Sequence, residues 1–305
     1  MPRTVLRSIL ALAALSISVA PASAQDARLT EQVDRWAELM NEQVIAWRRD
    51  IHANPELGMQ EFGTAALVAE HLESLGIEVE TGVGGTGVVG VLRGGRPGPV
   101  VALRADMDAL PVTEQVDLPF ASTATAMWQG REVGVMHACG HDSHTAMLVG
   151  AAKVLKQHQN ELAGSVDFFF QTGEEGFFGA REVLEEGLFE APNSPDAVFA
   201  LHITPLLDAG VFTGRPGPLL AAADTFEMTV RGKGGHASMP HDCLDPIPVA
   251  CEIVQAFQTF VTRRVPAFDP IVLTVTKIEA GTTTNVIPEV ANVLGTIRST
   301  SEKSR

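Results

Sequence analysis

Three separate β-rich runs in this chain each lead out onto an ionisable group, and few folds give that pattern a use. Val100 to Ala105 ends on Asp106-Met107-Asp108, Val166 to Gln171 leads to Glu174-Glu175, and Ala197 to Leu201 ends on His202. In an open sheet flanked by helices, ligands collect beyond the carboxyl ends of the strands. Acids scattered over a surface have no reason to sit at those exits. The runs therefore predict an α/β domain that delivers Asp106, Asp108, Glu174, Glu175 and His202 to one edge.

Between the first two runs, Met136 to Thr145 packs one thiol, three imidazoles and a carboxylate into a single turn. Cys139 and His141 can both reach one cation, because Gly140 lets the backbone fold back without a Cβ clash. With His202 and one of Glu174/Glu175 they make a mixed S, N, O donor set that suits zinc or another late divalent metal. Asp106 and Asp108 read as carboxylates that orient ligand imidazoles from behind. Successive residues leaving a strand point in different directions. One glutamate of the pair can thus bind metal while the other faces a metal-activated water as general base and then general acid. A purely structural zinc site would be closed and would have no place for that free carboxylate.

The surrounding pattern supplies the layers. Apolar positions from Leu29 to Trp47 and from Leu67 to Leu75 predict amphipathic helices over residues 29–50 and 64–75, with Gly76 ending the second. His52 to Gly58 reads as a loop by its Asn-Pro and Gly content, with His52 and Glu56 in loop-capping roles. Val88 to Arg93 and Val100 to Ala105 read as strands joined by the turn Gly94 to Pro99. His144, Met147, Leu148, Ala151, Ala152 and Leu155 share one helical face. A short helix runs from Ala180 to Glu186. A second unit begins near Ala221, with strands Phe226–Arg231, Ile271–Ile278 and Val290–Arg298 and a helix Pro246–Val261. Strand, helix, strand, strand is most of a ferredoxin-like layer. His236 follows a glycine turn in it, and Cys243 and Cys251 read as free thiols.

Arg3 and Arg7, an apolar run from Ile9 to Val19 and an Ala-x-Ala ending at Ala24 predict a cleavable secretory signal over residues 1–24 and a secreted or periplasmic protein. No other stretch reaches the length of a membrane span. The formal charge of −15 repels nucleic acid and anionic membranes, so neither is an expected partner. The expected layout is a signal over 1–24, a metal-binding domain over 25–220 and a second domain over 221–305.

Six motifs in this order resemble a known family. They are Arg48-Arg49-Asp50-Ile51-His52 through Pro55-Glu56-Leu57-Gly58, Ala105 to Pro111, His137 to Asp142, Gly173-Glu174-Glu175, Gly232 to Ala237, and Asn285-Val286-Ile287-Pro288. The likeness is to the M20 metallopeptidases and amidohydrolases, in the branch of hippurate hydrolases and N-acyl-amino-acid amidohydrolases. The resemblance implies a mixed-sheet, zinc-peptidase-like catalytic domain with an inserted ferredoxin-like lid and dimerisation domain. It implies two divalent metals per subunit, zinc, manganese or cobalt, held by Cys139, His141, Glu175 and His202, with Glu174 as catalytic acid/base. It also implies a homodimer in which His236 reaches the partner subunit's site to polarise the scissile carbonyl, and substrate contacts from Asn285 and Arg298. The reaction implied is hydrolysis of the amide of an N-acyl amino acid. Family members continue past the last residue here with a further metal-binding His, so the resemblance implies a C-terminally truncated chain with an incomplete lid. A second reading follows from that: a fragment that binds metal and ligand without turnover.

Overall fold

The computed structural model describes residues 24–191 and 194–305. The predicted signal thus lies, but for Ala24, outside the described residues. Two compact units meet at Leu207/Asp208, earlier in the chain than the expected boundary at 220/221. No helix among the described residues is long and apolar enough to cross a membrane.

The first unit runs α1 (Ala24–Ala53), α2 (Phe62–Ser74), β1 (Glu78–Val83), β2 (Gly87–Arg93), β3 (Arg96–Asp106), β4 (Thr125–Trp128), β5 (Arg131–Gly134), α3 (His141–Gln157), β6 (Ala163–Gln171), α4 (Gly179–Glu185) and β7 (Ala197–Ala200). Its sheet has the order β1-β2-β6-β3-β7. β1, β2 and β6 pair antiparallel, whereas β6, β3 and β7 are parallel. The sheet is therefore mixed, as expected. The short turn after β2 does not make a hairpin, because β6 lies between β2 and β3. A strand buried on both faces needs no polar alternation, and β6 is the case in point. Phe168 and Phe170 pack with Val68 and Leu72 of α2 and Leu148 and Val149 of α3, while on the opposite face Phe169 packs with Val83 and Val89 of the same sheet and Val183 of α4.

Residue 52 belongs to a helix rather than to the predicted loop, since α1 continues to Ala53. Glu56 does cap a helix: its carboxylate accepts from the N–H groups of Gly63 and Thr64, both at 2.8 Å, at the start of α2. Because β3, β6 and β7 are parallel, their carboxyl ends share one edge of the sheet, and Asp106, Glu174/Glu175 and His202 follow from those ends.

The second unit has β8 (Ala222–Arg231), β9 (Gly235–His236), α5 (Pro246–Arg264), β10 (Ile271–Ala280), β11 (Val286–Ile287) and β12 (Val290–Ser299). Its antiparallel sheet has the order β10-β12-β8. α5 starts at Pro246, where Asp245 accepts from the Ile247 N–H at 2.9 Å. Ala250 and Val254 of the helix pack on Phe226, Val230, Val275, Ala291 and Val293.

Candidate active site

α3 begins at a bend that only glycine takes without strain. Gly140 holds φ +90° as its N-cap, and a Cβ there would collide with Cδ1 of Ile203, the residue after His202. The bend and the β7 exit are thus packed against each other. Cys139 Sγ lies 3.4 Å from His202 Nε2, and ligand atoms of Cys139, His141 and His202 all fall within 4.8 Å of one another. His141, Glu174 and Glu175 form a second such group within the same limit. Five groups from three segments therefore converge, with His141 common to both sets.

The carboxylates of the β3 exit hold this cluster from behind. Asp108 Oδ1 faces His141 Nδ1 at 3.2 Å and its Oδ2 accepts from the Glu175 N–H at 2.8 Å. One side chain thereby fixes an imidazole and the backbone beside a glutamate. A proton on His141 Nδ1 leaves Nε2 with its lone pair directed outward, the arrangement of a metal-ligating histidine. That Nε2 is buried without a hydrogen-bond partner among the described residues.

His144, which sequence reasoning did not single out, is a brace. Its Nδ1 lies 2.7 Å from Asp106 Oδ1, and its Nε2 accepts from the Ile203 N–H at 2.9 Å. Both nitrogens are engaged, so although His144 is close enough to Asp106 and His141 to share a cation, its role is to tie the β7 exit to β3. The sequence signal that was available is its i+3 spacing from His141, which puts both imidazoles on one side of α3. A second brace holds the same turn of α3. Asp142 meets Arg48 Nε at 2.6 Å and His52 Nδ1 at 2.8 Å, and His52 Nε2 faces Glu114 at 3.0 Å.

Charge shows what the cluster lacks. Burial, a hydrogen bond with Glu175 and the negative charges of Glu175, Glu174 and Asp106 push the Cys139 thiol up to about 12. Burial and the neighbouring charge of Glu175 raise Glu174 as well. Burial disfavours ionisation of Asp106, but its bond to His144 and the Arg104 guanidinium at 2.6 Å hold it well below the usual carboxylate range. Burial also works against a charged His141, yet Asp108, Asp106 and Glu174 together raise it. A thiol and several carboxylates pressed around an unpartnered imidazole nitrogen fit a divalent cation, which would relieve each of these strains.

The residues expected from the second unit sort into two places. β9 pairs with β11, putting His236 opposite Val286, and the Ala237 N–H donates to the Asn285 carbonyl at 3.1 Å. His236 and Asn285 are therefore neighbours. Ser238 donates from its N–H (3.2 Å) to His236 Nδ1 and has its hydroxyl 2.8 Å from the same atom, which leaves the ring proton on Nε2. Arg298 is exposed on β12, opposite Ala223 and Val272, toward the far end of that strand from Asn285. Cys243 and Cys251 are free.

Residues 102–300 match the peptidase family M20/M25/M40. The chain is similar to thermostable carboxypeptidase 2 of Saccharolobus solfataricus, with 44% identity over 280 residues, 91% of this chain and 68% of that protein. It is similar to the N-acyl-L-amino acid amidohydrolase of Geobacillus stearothermophilus, with 41% identity over 276 residues, 90% of this chain and 72% of that one. Among solved structures it resembles the Bacillus subtilis YXEP protein, described as a dinuclear metal binding peptidase from the M20 family. The TM-score there is 0.71 and the identity 39%, covering 88% of this chain and 67% of that one. The chain thus spans about two thirds of the length of these relatives.

Proposed function

The chain belongs to peptidase family M20/M25/M40, whose members are hydrolases of amide bonds, and we propose that it hydrolyses the amide of N-acyl amino acids with two divalent metal ions. The observation that carries this is the convergence of Cys139, His141, Glu174, Glu175 and His202 at one sheet edge around the unpartnered His141 Nε2. Cys139, His141, Glu175 and His202 would hold the ions, and the mixed donor set suits zinc, manganese or cobalt. When bound, the ions would supply a water of lowered pKa and Lewis-acid polarisation of the substrate carbonyl.

The chain's own residues do the rest. Glu174 is the group not assigned to the metals, and its Oε2 lies 3.9 Å from His141 Nε2. It takes the proton of the attacking water and returns it to the leaving nitrogen, and a carboxyl whose pKa is raised by burial and by Glu175 suits both transfers. Asp108 and Asp106 keep His141 and, through His144, the β7 exit in place. From the second unit, His236 donates from Nε2 to the carbonyl oxygen as negative charge develops there, across a homodimer in which that unit is lid and interface. Asn285 and Arg298 contact the substrate, the guanidinium suiting a carboxylate. Export through the leader at residues 1–24 is part of the same proposal.

The test is release of free amine from N-acetyl and N-benzoyl amino acids by the Zn²⁺-, Mn²⁺- or Co²⁺-loaded protein. Glu174→Gln should lower kcat by about 10²- to 10⁴-fold while the metal content stays unchanged. Metal loading and substrate binding without turnover in the parent protein would establish a binder instead. Turnover that survives the substitution would remove Glu174 from its role.

A further inference from the structure

Glu61 is a completely buried carboxylate that the catalytic scheme does not use. It stands immediately before α2. Its Oε1 accepts from the Gly173 N–H at 2.7 Å, and its Oε2 accepts from the Thr172 hydroxyl at 2.8 Å and from the Thr86 hydroxyl. All three donors are neutral, yet a buried carboxylate is costly unless its bonds are good. Thr172 and Gly173 are the two residues between the end of β6 and Glu174.

The chain turns sharply at that point. Gly173 holds φ +52°, and a Cβ there would meet Met59 Sδ at 2.8 Å and Phe177 Cβ at 3.0 Å. The Gly179 N–H donates to the Gly173 carbonyl at 3.0 Å and closes the loop. Past Glu174, the Glu175 N–H is held by Asp108 at 2.8 Å. The N–H groups of the two residues that flank Glu174, Gly173 and Glu175, are thus gripped by two carboxylates from distant segments. The Glu174 side chain itself is 43% exposed, so its direction is set from its backbone rather than by packing. A reacting group displaced by about 1 Å can lose about 10²-fold in rate.

We propose that Glu61 is a positioning residue for Glu174: by holding Thr172 and Gly173 it sets the exit of β6 and so the direction from which the glutamate reaches the reacting atoms. The proposal rests on the reading of Glu174 as the acid/base. Glu61→Gln keeps the number of hydrogen bonds, because its amide oxygen can serve Gly173 while the threonine hydroxyls turn to accept from its NH₂. Glu61→Ala removes them all. Glu61→Asp keeps the charge but falls one methylene short.

Hydrogen exchange read by mass spectrometry, metal content and steady-state kinetics are measured on the full chain and the three variants. Glu61→Ala and Glu61→Asp should speed exchange in peptides covering residues 172–179 but not in those from α3. In both, kcat should fall by about 10²-fold with KM and bound metal unchanged, and Glu61→Gln should restore both readouts. Uniformly faster exchange, an unaltered 172–179 segment, or a loss confined to KM or metal content in the Asp variant would overturn the proposal. Should the parent protein turn over no N-acyl amino acid, the functional reading fails by itself, and the exchange pattern still decides whether Glu61 holds the loop.

Discussion

Asp106, Asp108, His141 and His144 are at most 3% exposed, whereas Glu174 and His202 stand in solvent and Cys139 and Glu175 lie between the two conditions. In the buried half nearly every polar atom has a partner, and the partners lie far apart in sequence. The open half hangs on short exits from β6 and β7. The difference separates two tasks. Burial fixes direction, which the imidazoles and their carboxylates require, and exposure admits substrate and leaves a carboxylate free to exchange protons.

The sharpest way to break this division is a pair of substitutions, one in each half. Asp106→Ala leaves the buried His144 and the Arg104 guanidinium without their acceptor, and should cost about 3–5 kcal/mol of stability. Glu174→Gln, exposed and bonded to little, should stay within about 0.5 kcal/mol despite its large effect on turnover. Urea unfolding in the presence of chelator measures both without metal. Because the folded-state pKa of Asp106 is depressed, its contribution is in force above the ordinary aspartate value and is lost as pH falls from there toward the folded value. Acid unfolding of Asp106→Ala should accordingly begin from a lower plateau and fall less steeply. Equal losses for the two substitutions would erase the distinction between the halves.

A smaller effect is expected where the halves join. Asp108 accepts from the Glu175 N–H and faces His141 Nδ1, two donors if Nε2 is to ligate. An asparagine amide has one acceptor end and must turn its NH₂ toward one of them. Asp108→Asn should therefore weaken Zn²⁺ binding by about 10- to 100-fold, as measured by competition with a chromophoric chelator. An unchanged affinity would mean that the second nitrogen of His141 has no bearing on the first.

The same contrast explains what the sequence makes legible. Strand exits and the Cys139-Gly140-His141 spacing are local, and the structure places those residues as their spacing suggests. α2 and α3 follow from apolar periodicity because each packs one face on the sheet, and α1 because it packs a face on α3. β1 and the β4–β5 hairpin leave little trace, since they are short and Val83 alone among their residues is buried. The insertion of β6 between β2 and β3 is a pairing over a long stretch of chain, invisible beside a short turn that suggests a hairpin. Glu61 and His144 act through bonds to residues far away in sequence, |i−j| of 112 for Glu61 to Gly173 and 59 for His144 to Ile203. Spacing rules stop short of such distances.

The smallest expected effect tests whether Cys139, at the border between the halves, belongs with the ligands. Its thiol is held up to about 12 by burial, the Glu175 hydrogen bond and nearby negative charge, so it is protonated at neutral pH and must lose that proton to bind metal. Apparent Zn²⁺ affinity should then rise about tenfold for each pH unit, since one proton leaves for each ion bound. His141 adds to this at the lower end: its raised pKa means that below that value its Nε2 must also be deprotonated before it can ligate. A plot of log affinity against pH should therefore be steeper below the raised His141 value than above it, where it settles to a slope near one. Cys139→Ala should lower the slope by about one across the whole range, in addition to weakening binding. A slope that the substitution leaves untouched would move Cys139 out of the metal site and leave His141, Glu175 and His202 to hold the ion.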